Sequence, residues 1–196
     1  MKNTWILLSL LAMLSVPGWA QGPAPLEKVK ISKALEVHLP TNMRPMSSEE
    51  IKNKYLSNRP PLAMYTTQDG KADFGIKLSN TTFLESDLAL AADFYKASFV
   101  SLYDSVTFLR ETIEEINKRH YLVLEFTSLV LPKQDSVSMV LGTADQAPIE
   151  RYTYIQYTVV NGKLLVVNFT CPRKYMDAWR ATAWDIMHSL KVKNSL

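Results

Sequence analysis

The chain has 196 residues, with 22 Lys and Arg against 19 Asp and Glu and a formal charge of +3 at neutral pH. That near balance, with no basic stripe along the chain, argues against a nucleic-acid partner. One cysteine, Cys171, rules out an intramolecular disulfide.

Residues 1–20 read as an export signal. Lys2 supplies the charge, residues 5–16 the apolar core, and Gly18-Trp19-Ala20 a small-x-small cleavage site. The apolar run is too short for a membrane span, which needs ~20 residues. No other stretch approaches that length, so the mature chain is expected to carry no transmembrane segment. No cysteine follows the cleavage site to take a lipid anchor. Cleavage leaves Gln21 as the first residue and about 176 residues in all, enough for one domain with a sizeable core. Loss of Lys2 lowers the formal charge from +3 to +2. The expected location is the periplasm or the extracellular medium.

Residues 21–30 contain Pro23 and Pro25 and read as a flexible leader to a single domain over 31–196. Residues 34–39 form a short strand ending at Pro40. A helix follows: Ser47 can cap it, Glu50 completes a capping box, and Met46 can staple against Ile51. It runs to about Leu56 and stops before Arg59-Pro60-Pro61. Residues 62–66 and 72–78 make a strand pair around Gln68-Asp69-Gly70.

Residues 86–103 form the longest helix, with Leu88, Ala91, Ala92, Tyr95, Phe99 and Leu102 on one face. Leu90 and Phe94 fall outside that stripe, which predicts burial on two sides. Two long strands, 105–116 and 121–131, follow around a turn at Asn117-Lys118-Arg119. Residues 132–148 make a polar connection in which Val137, Met139 and Leu141 alternate and can form a short strand.

The strongest local signal lies near the C-terminus. Residues 151–160 and 163–170 are rich in β-branched and aromatic residues, and Asn161-Gly162 joins them. Both turn residues tolerate positive φ, which a tight hairpin requires. The turn pairs Val160 with Lys163, Tyr157 with Val166 and Ile155 with Asn168. One face then carries Tyr152, Tyr154, Gln156 and Thr158 with Leu165, Val167 and Phe169. The other carries Ile155, Tyr157 and Val159 with Leu164 and Val166. Neither face is polar, so the hairpin needs cover on both sides, which predicts three layers. Residues 173–190 supply one cover as a helix whose stripe is Tyr175, Met176, Trp179, Ala183, Ile186, Met187 and Leu190. Pro172 precedes its first turn, and His188 and Lys191 suit the negative end of its dipole.

Chemistry is sparse. The chain has no nucleophile elbow, phosphate loop, dinucleotide fingerprint or metalloprotease histidine pair. His38, His120 and His188 fall on a strand, a turn and a helix end, a pattern more often structural than zinc-binding. Glu114 and Glu115 are strand neighbours and face opposite ways, so they make no catalytic pair. Cys171, on the Tyr152 face, reads as a small buried hydrophobe. No catalytic, cofactor or metal residue is assigned. Trp184 lies off the apolar stripe and reads as a rim residue. With Met139 and Leu141 of the long connection it is the expected partner contact.

The order of elements, with the hairpin, "NFTCP", a Trp-containing helix and "IMHSLKVK", resembles the PsbP-like superfamily, which includes PsbP, Mog-type Ran-binding and DcrB-like proteins. The resemblance implies an α+β fold, a three-layer α/β/α sandwich around a mainly antiparallel sheet. It also implies a non-catalytic binding or assembly-accessory protein of the bacterial envelope, with another envelope or secreted protein as partner. The alternative is a hydrolase or metal-dependent enzyme whose site assembles from scattered His, Asp and Glu. A compact pocket of polar groups with perturbed titration favours the enzyme; an exposed apolar patch favours the binder.

Overall fold

The hairpin sits where the sequence puts it. In the computed structural model, which describes residues 23–55, 60–132 and 147–194, strands β8 (Ile149–Val160) and β9 (Lys163–Pro172) pair antiparallel around Asn161-Gly162. Both turn residues have positive φ, 51° and 70°. The register is the expected one: Val160 opposite Lys163, Tyr157 opposite Val166, Ile155 opposite Asn168.

Around the hairpin lie β3 (Met43–Pro45), β4 (Ala63–Thr67), β5 (Asp73–Thr82), β6 (Ser105–Ile116) and β7 (Arg119–Val130). Together they form a seven-stranded antiparallel sheet in the order β3-β4-β5-β9-β8-β7-β6. Helix α1 (Ser48–Lys54) carries the expected capping box: Glu50 N–H donates to Ser47 Oγ at 3.1 Å, and Ser47 N–H donates to the Glu50 carboxylate at 2.8 Å. Helix α2 (Leu88–Leu102) follows a 3-10 turn at Glu85–Asp87. Helix α3 (Met176–Ser189) follows one at Arg173–Tyr175.

Three layers result. On one side of the sheet, α3 buries Met176, Trp179, Ala183, Ile186 and Met187 among Tyr152, Tyr154, Leu165, Val167 and Phe169. On the other, α2 buries Leu88, Ala91 and Ala92 over Leu122, Leu124, Tyr157 and Leu164. The fold is thus an α+β sandwich, as expected.

Three expectations need correction. Residues 26–30 are not part of a flexible leader: Leu26–Lys30 form strand β1, paired antiparallel with β2 (Leu35–Pro40). The last helix ends at Ser189 and not Leu190, and Lys191, placed at its C-terminal end, opens β10 (Lys191–Val192) on the other side of β2. This small sheet lies on the α3 side, where Leu35, Val37 and Leu39 join the core around Trp179. Third, α2 is covered on one side only among the described residues. Leu90 is 73% and Phe94 65% exposed, and Leu102, placed on the buried stripe, is exposed at the helix end. The segment with Val137, Met139 and Leu141, the export signal and Leu56 lie outside the described residues.

Candidate functional site

The two faces of the hairpin differ along their length. On the α3 side, side chains from Tyr152 to Phe169 are buried from end to end. On the α2 side the character changes halfway. Near the Asn161-Gly162 turn, Tyr157, Val159, Leu164 and Val166 lie under α2, with the Tyr95 ring stacked on Tyr157 at 4.3 Å between centroids. Toward the other end the same face presents Arg151, Thr153, Asn168 and Thr170, and no described helix crosses it. A groove of about 320 Å³ remains there between the ends of α1 and α2.

Each bank is fixed by local chemistry. Helix α1 is short, and its start is held by the capping box and by Arg44, whose guanidinium donates to both Glu50 oxygens at 2.9 and 2.6 Å. Those bonds, with the Ser47 N–H, hold the Glu50 carboxyl well below the usual range, at about 2. One and a half turns on, Lys54 and Tyr55 reach Asp73, a fully buried carboxylate at the head of β5. Asp73 accepts from Lys54 Nζ at 2.8 Å, Tyr55 Oη at 2.6 Å and Thr66 Oγ1 at 2.7 Å. Lys54 also donates to the Gly70 carbonyl at 2.7 Å. Burial, and then the bond to Asp73, raise the Tyr55 hydroxyl far above the ordinary tyrosine range.

The facing bank is aromatic. Phe99 and Tyr103 at the end of α2 pack on Phe126 of β7, with centroids 4.7 and 6.3 Å away. Burial raises the Tyr103 hydroxyl, and the Arg151 charge opposes that rise. The floor is polar: Thr170 Oγ1 donates to the Tyr152 carbonyl at 3.0 Å and lies 3.5 Å from Thr153 Oγ1. Gly75 sits beside this floor, and a Cβ there would meet Met64 Sδ at 2.5 Å and Asn168 Oδ1 at 2.8 Å. Its lack of a side chain is what lets Asn168 lie flat against the strand.

The groove has perturbed titratable groups, but burial is the leading cause of each shift. Asp73 is engaged by three donors, and among the described residues no histidine or free carboxylate lines the walls. The arrangement can hold a ligand; it contains no nucleophile paired with a base.

Of the residues singled out in the sequence, Trp184 falls elsewhere. Trp184 is on the outer edge of α3, 46% exposed, with its ring stacked on His188 at 3.8 Å. His188 in turn approaches Glu114 at 3.3 Å, and Glu114 also pairs with Arg110. The neighbouring Arg180 donates to buried Glu125 at 2.6 Å, which also accepts from Tyr152 Oη at 2.9 Å. Met139 and Leu141 lie outside the described residues. The strand ends flanking their segment, Val130 and Ile149, are at the opposite end of the sheet from the Asn117-Lys118 turn, whose Asn117 amide caps the His188 and Leu190 carbonyls. His120 pairs with Glu85 and His38 lies on β2, so the three histidines stay apart. Among the described residues no group of three His, Cys, Asp or Glu could hold a metal. Cys171 is fully buried, and burial pushes its thiol up to about 12. No described helix is long and apolar enough to cross a membrane.

Sequence reasoning missed the groove, although one signal was present. The α2-side face of the hairpin begins with Arg151 and Thr153 and ends with Asn168 and Thr170, an apolar-to-polar switch along a single face.

No family model matches the chain, and no curated protein matches it in sequence. Solved structures show the fold: the chain folds like PsbP and an LpqN-type protein. It is similar to cyanobacterial PsbP (CyanoP) from Synechocystis, with a TM-score of 0.59 and 14% identity over 92% of this chain and 99% of that one. It is also similar to LpqN of Mycobacterium tuberculosis, a protein described as involved in cell envelope biogenesis, with a TM-score of 0.52 and 10% identity over 86% and 91%. The Saccharomyces cerevisiae Ran-binding protein Mog1p aligns at 0.49 and 13% over 86% and 96%.

Proposed function

We propose that this chain is an exported, non-catalytic binding or assembly-accessory protein of the bacterial envelope, and that it binds through the groove between α1 and α2. The observation that carries this reading is the polar floor at residues 151–153 and 168–170, which no described helix covers, set between closely packed banks. A sheet face left open between two helix ends, lined by aromatic rings and a few convergent polar groups, is the common form of a small-ligand site. Export rests on the signal pattern of residues 1–20, with the mature domain following it. Fold likeness to an envelope protein agrees with that location but does not decide function. Trp184, half-exposed and braced on His188, is a second contact surface, suited to another envelope or secreted protein.

The test is recovery of the full chain from its native host, beside Thr153→Trp, which fills the groove, and Tyr103→Ala, which removes one wall. Intact mass is expected to begin at Gln21. Bound material is expected with the native groove and reduced in both variants, while both still melt cooperatively, Tyr103→Ala somewhat lower for the loss of its ring contacts. A retained Met1, equal bound material in all three proteins, or turnover of a substrate would each overturn the reading.

A further inference from the structure

From the charge and shape of this groove we infer that its ligand is a small carboxylate with a flat, apolar body, gripped at the carboxylate by Arg151; this rests on the groove being the binding site. Two cations border the cavity, and they are not equivalent. Lys54 is already engaged, by buried Asp73 and by the Gly70 carbonyl, at 2.8 and 2.7 Å. Arg151 enters no ion pair among the described residues, while its charge is felt by the hydroxyls on both banks, Tyr55 and Tyr103. A guanidinium so placed offers a planar fork that matches a carboxylate with two parallel hydrogen bonds.

The rest of the lining fits the remainder of such a molecule. Phe99, Tyr103 and Phe126 form a wall of rings already packed on one another, so little ordering is needed when a flat body slides against it. The Thr153 hydroxyl and the Asn168 amide border the carboxylate end, and each can donate to an anion, while the Thr170 hydroxyl is held by the Tyr152 carbonyl. Among the described residues no acidic side chain lines the cavity to repel one, and Asp73 is turned onto its own three donors. A volume of about 320 Å³ sits at the lower end of ligand pockets, which run from about 300 to 1,000 Å³, and sets the size as small. A single cation without an ion pair among the described residues favours a monoanion over phosphate, whose sites more often collect several donors.

Amide-resolved NMR titration of the protein over residues 21–196 tests this with three probes: 3-phenylpropionate, its neutral amide 3-phenylpropionamide, and inorganic phosphate. Saturable shifts are expected with the carboxylate at residues 151–155 and 168–170, and not at the Asn161-Gly162 turn. The amide is expected to bind about tenfold more weakly or worse, and phosphate not to shift these residues. Arg151→Gln should lose the difference between carboxylate and amide with an unchanged amide spectrum elsewhere, and Arg151→Lys should recover part of it. Equal binding of carboxylate and amide in the groove overturns the ligand class and leaves the groove reading standing. Phosphate alone acting as well as the carboxylate removes the flat body. Shifts confined to α3, or no saturable shift with any probe, overturn the inference outright, and the groove reading is then judged by the native-host comparison.

Discussion

The two faces of the seven-stranded sheet are built to different standards. The α3 side is closed: a 14-residue helix and a second, three-stranded sheet cover it, and Trp179 packs its ring 5.4 Å from Phe169 in a continuous core. The α2 side is covered by two helices with a gap between them, and the longer one shows Leu90 and Phe94 to solvent. Buried apolar area stabilises the first face, whereas the second gives up part of that stabilisation to keep a polar floor open. The proposed groove lies on the α2 side, and core substitutions under α3 should act on stability while groove substitutions act on ligand binding.

The comparison is broken most directly at Trp179. Trp179→Ala should cost about 3–5 kcal/mol in chemical denaturation, because an almost fully buried ring leaves a cavity its neighbours cannot fill. A loss below about 0.5 kcal/mol would mean the α3 face is not the closed one. Next comes Asp73→Asn. It removes a charge that three donors share, so it should cost about 2–3 kcal/mol and also loosen Tyr55, lowering groove affinity; both are read in one set of titrations and melts. Tyr95→Ala, which removes the ring stacked on Tyr157 from a half-buried position, should cost about 1–2 kcal/mol, less than its counterpart on the other face.

At the small end, Phe94→Ala should change stability by less than about 0.5 kcal/mol, since the ring has no cover to lose. Trp184→Ala should likewise leave the melting temperature nearly unchanged while weakening capture of a protein partner by more than about 1 kcal/mol. Unfolding of that variant would place Trp184 in the core.

Much of this contrast is legible in the residues themselves. Asn161-Gly162 sets the hairpin register, the Ser47–Glu50 box starts α1, and the Trp179 stripe picks out the covered side of α3, because each is a local pattern with one physical solution. Strands β1 and β10 are not legible, since Leu26–Lys30 and Lys191–Val192 are short and become strands only by pairing with β2 from distant parts of the chain. Leu90 and Phe94 misled for a related reason. Apolar residues around a whole helix imply two covers, and the described residues provide one. The groove needs Lys54 and Tyr55 brought beside Arg151 and Tyr103, an arrangement that no periodicity records. Only the polar switch at Arg151, Thr153, Asn168 and Thr170 was there to be read.

Hydrogen exchange on protein recovered from the native host with its bound material, against the same protein unfolded, cleared and refolded, probes both faces at once. A site on the α2 side predicts slower exchange in the bound sample at residues 151–155, 168–170 and 99–103. Slower exchange confined to residues 180–188, around Trp184, or no difference between the two samples, would contradict it.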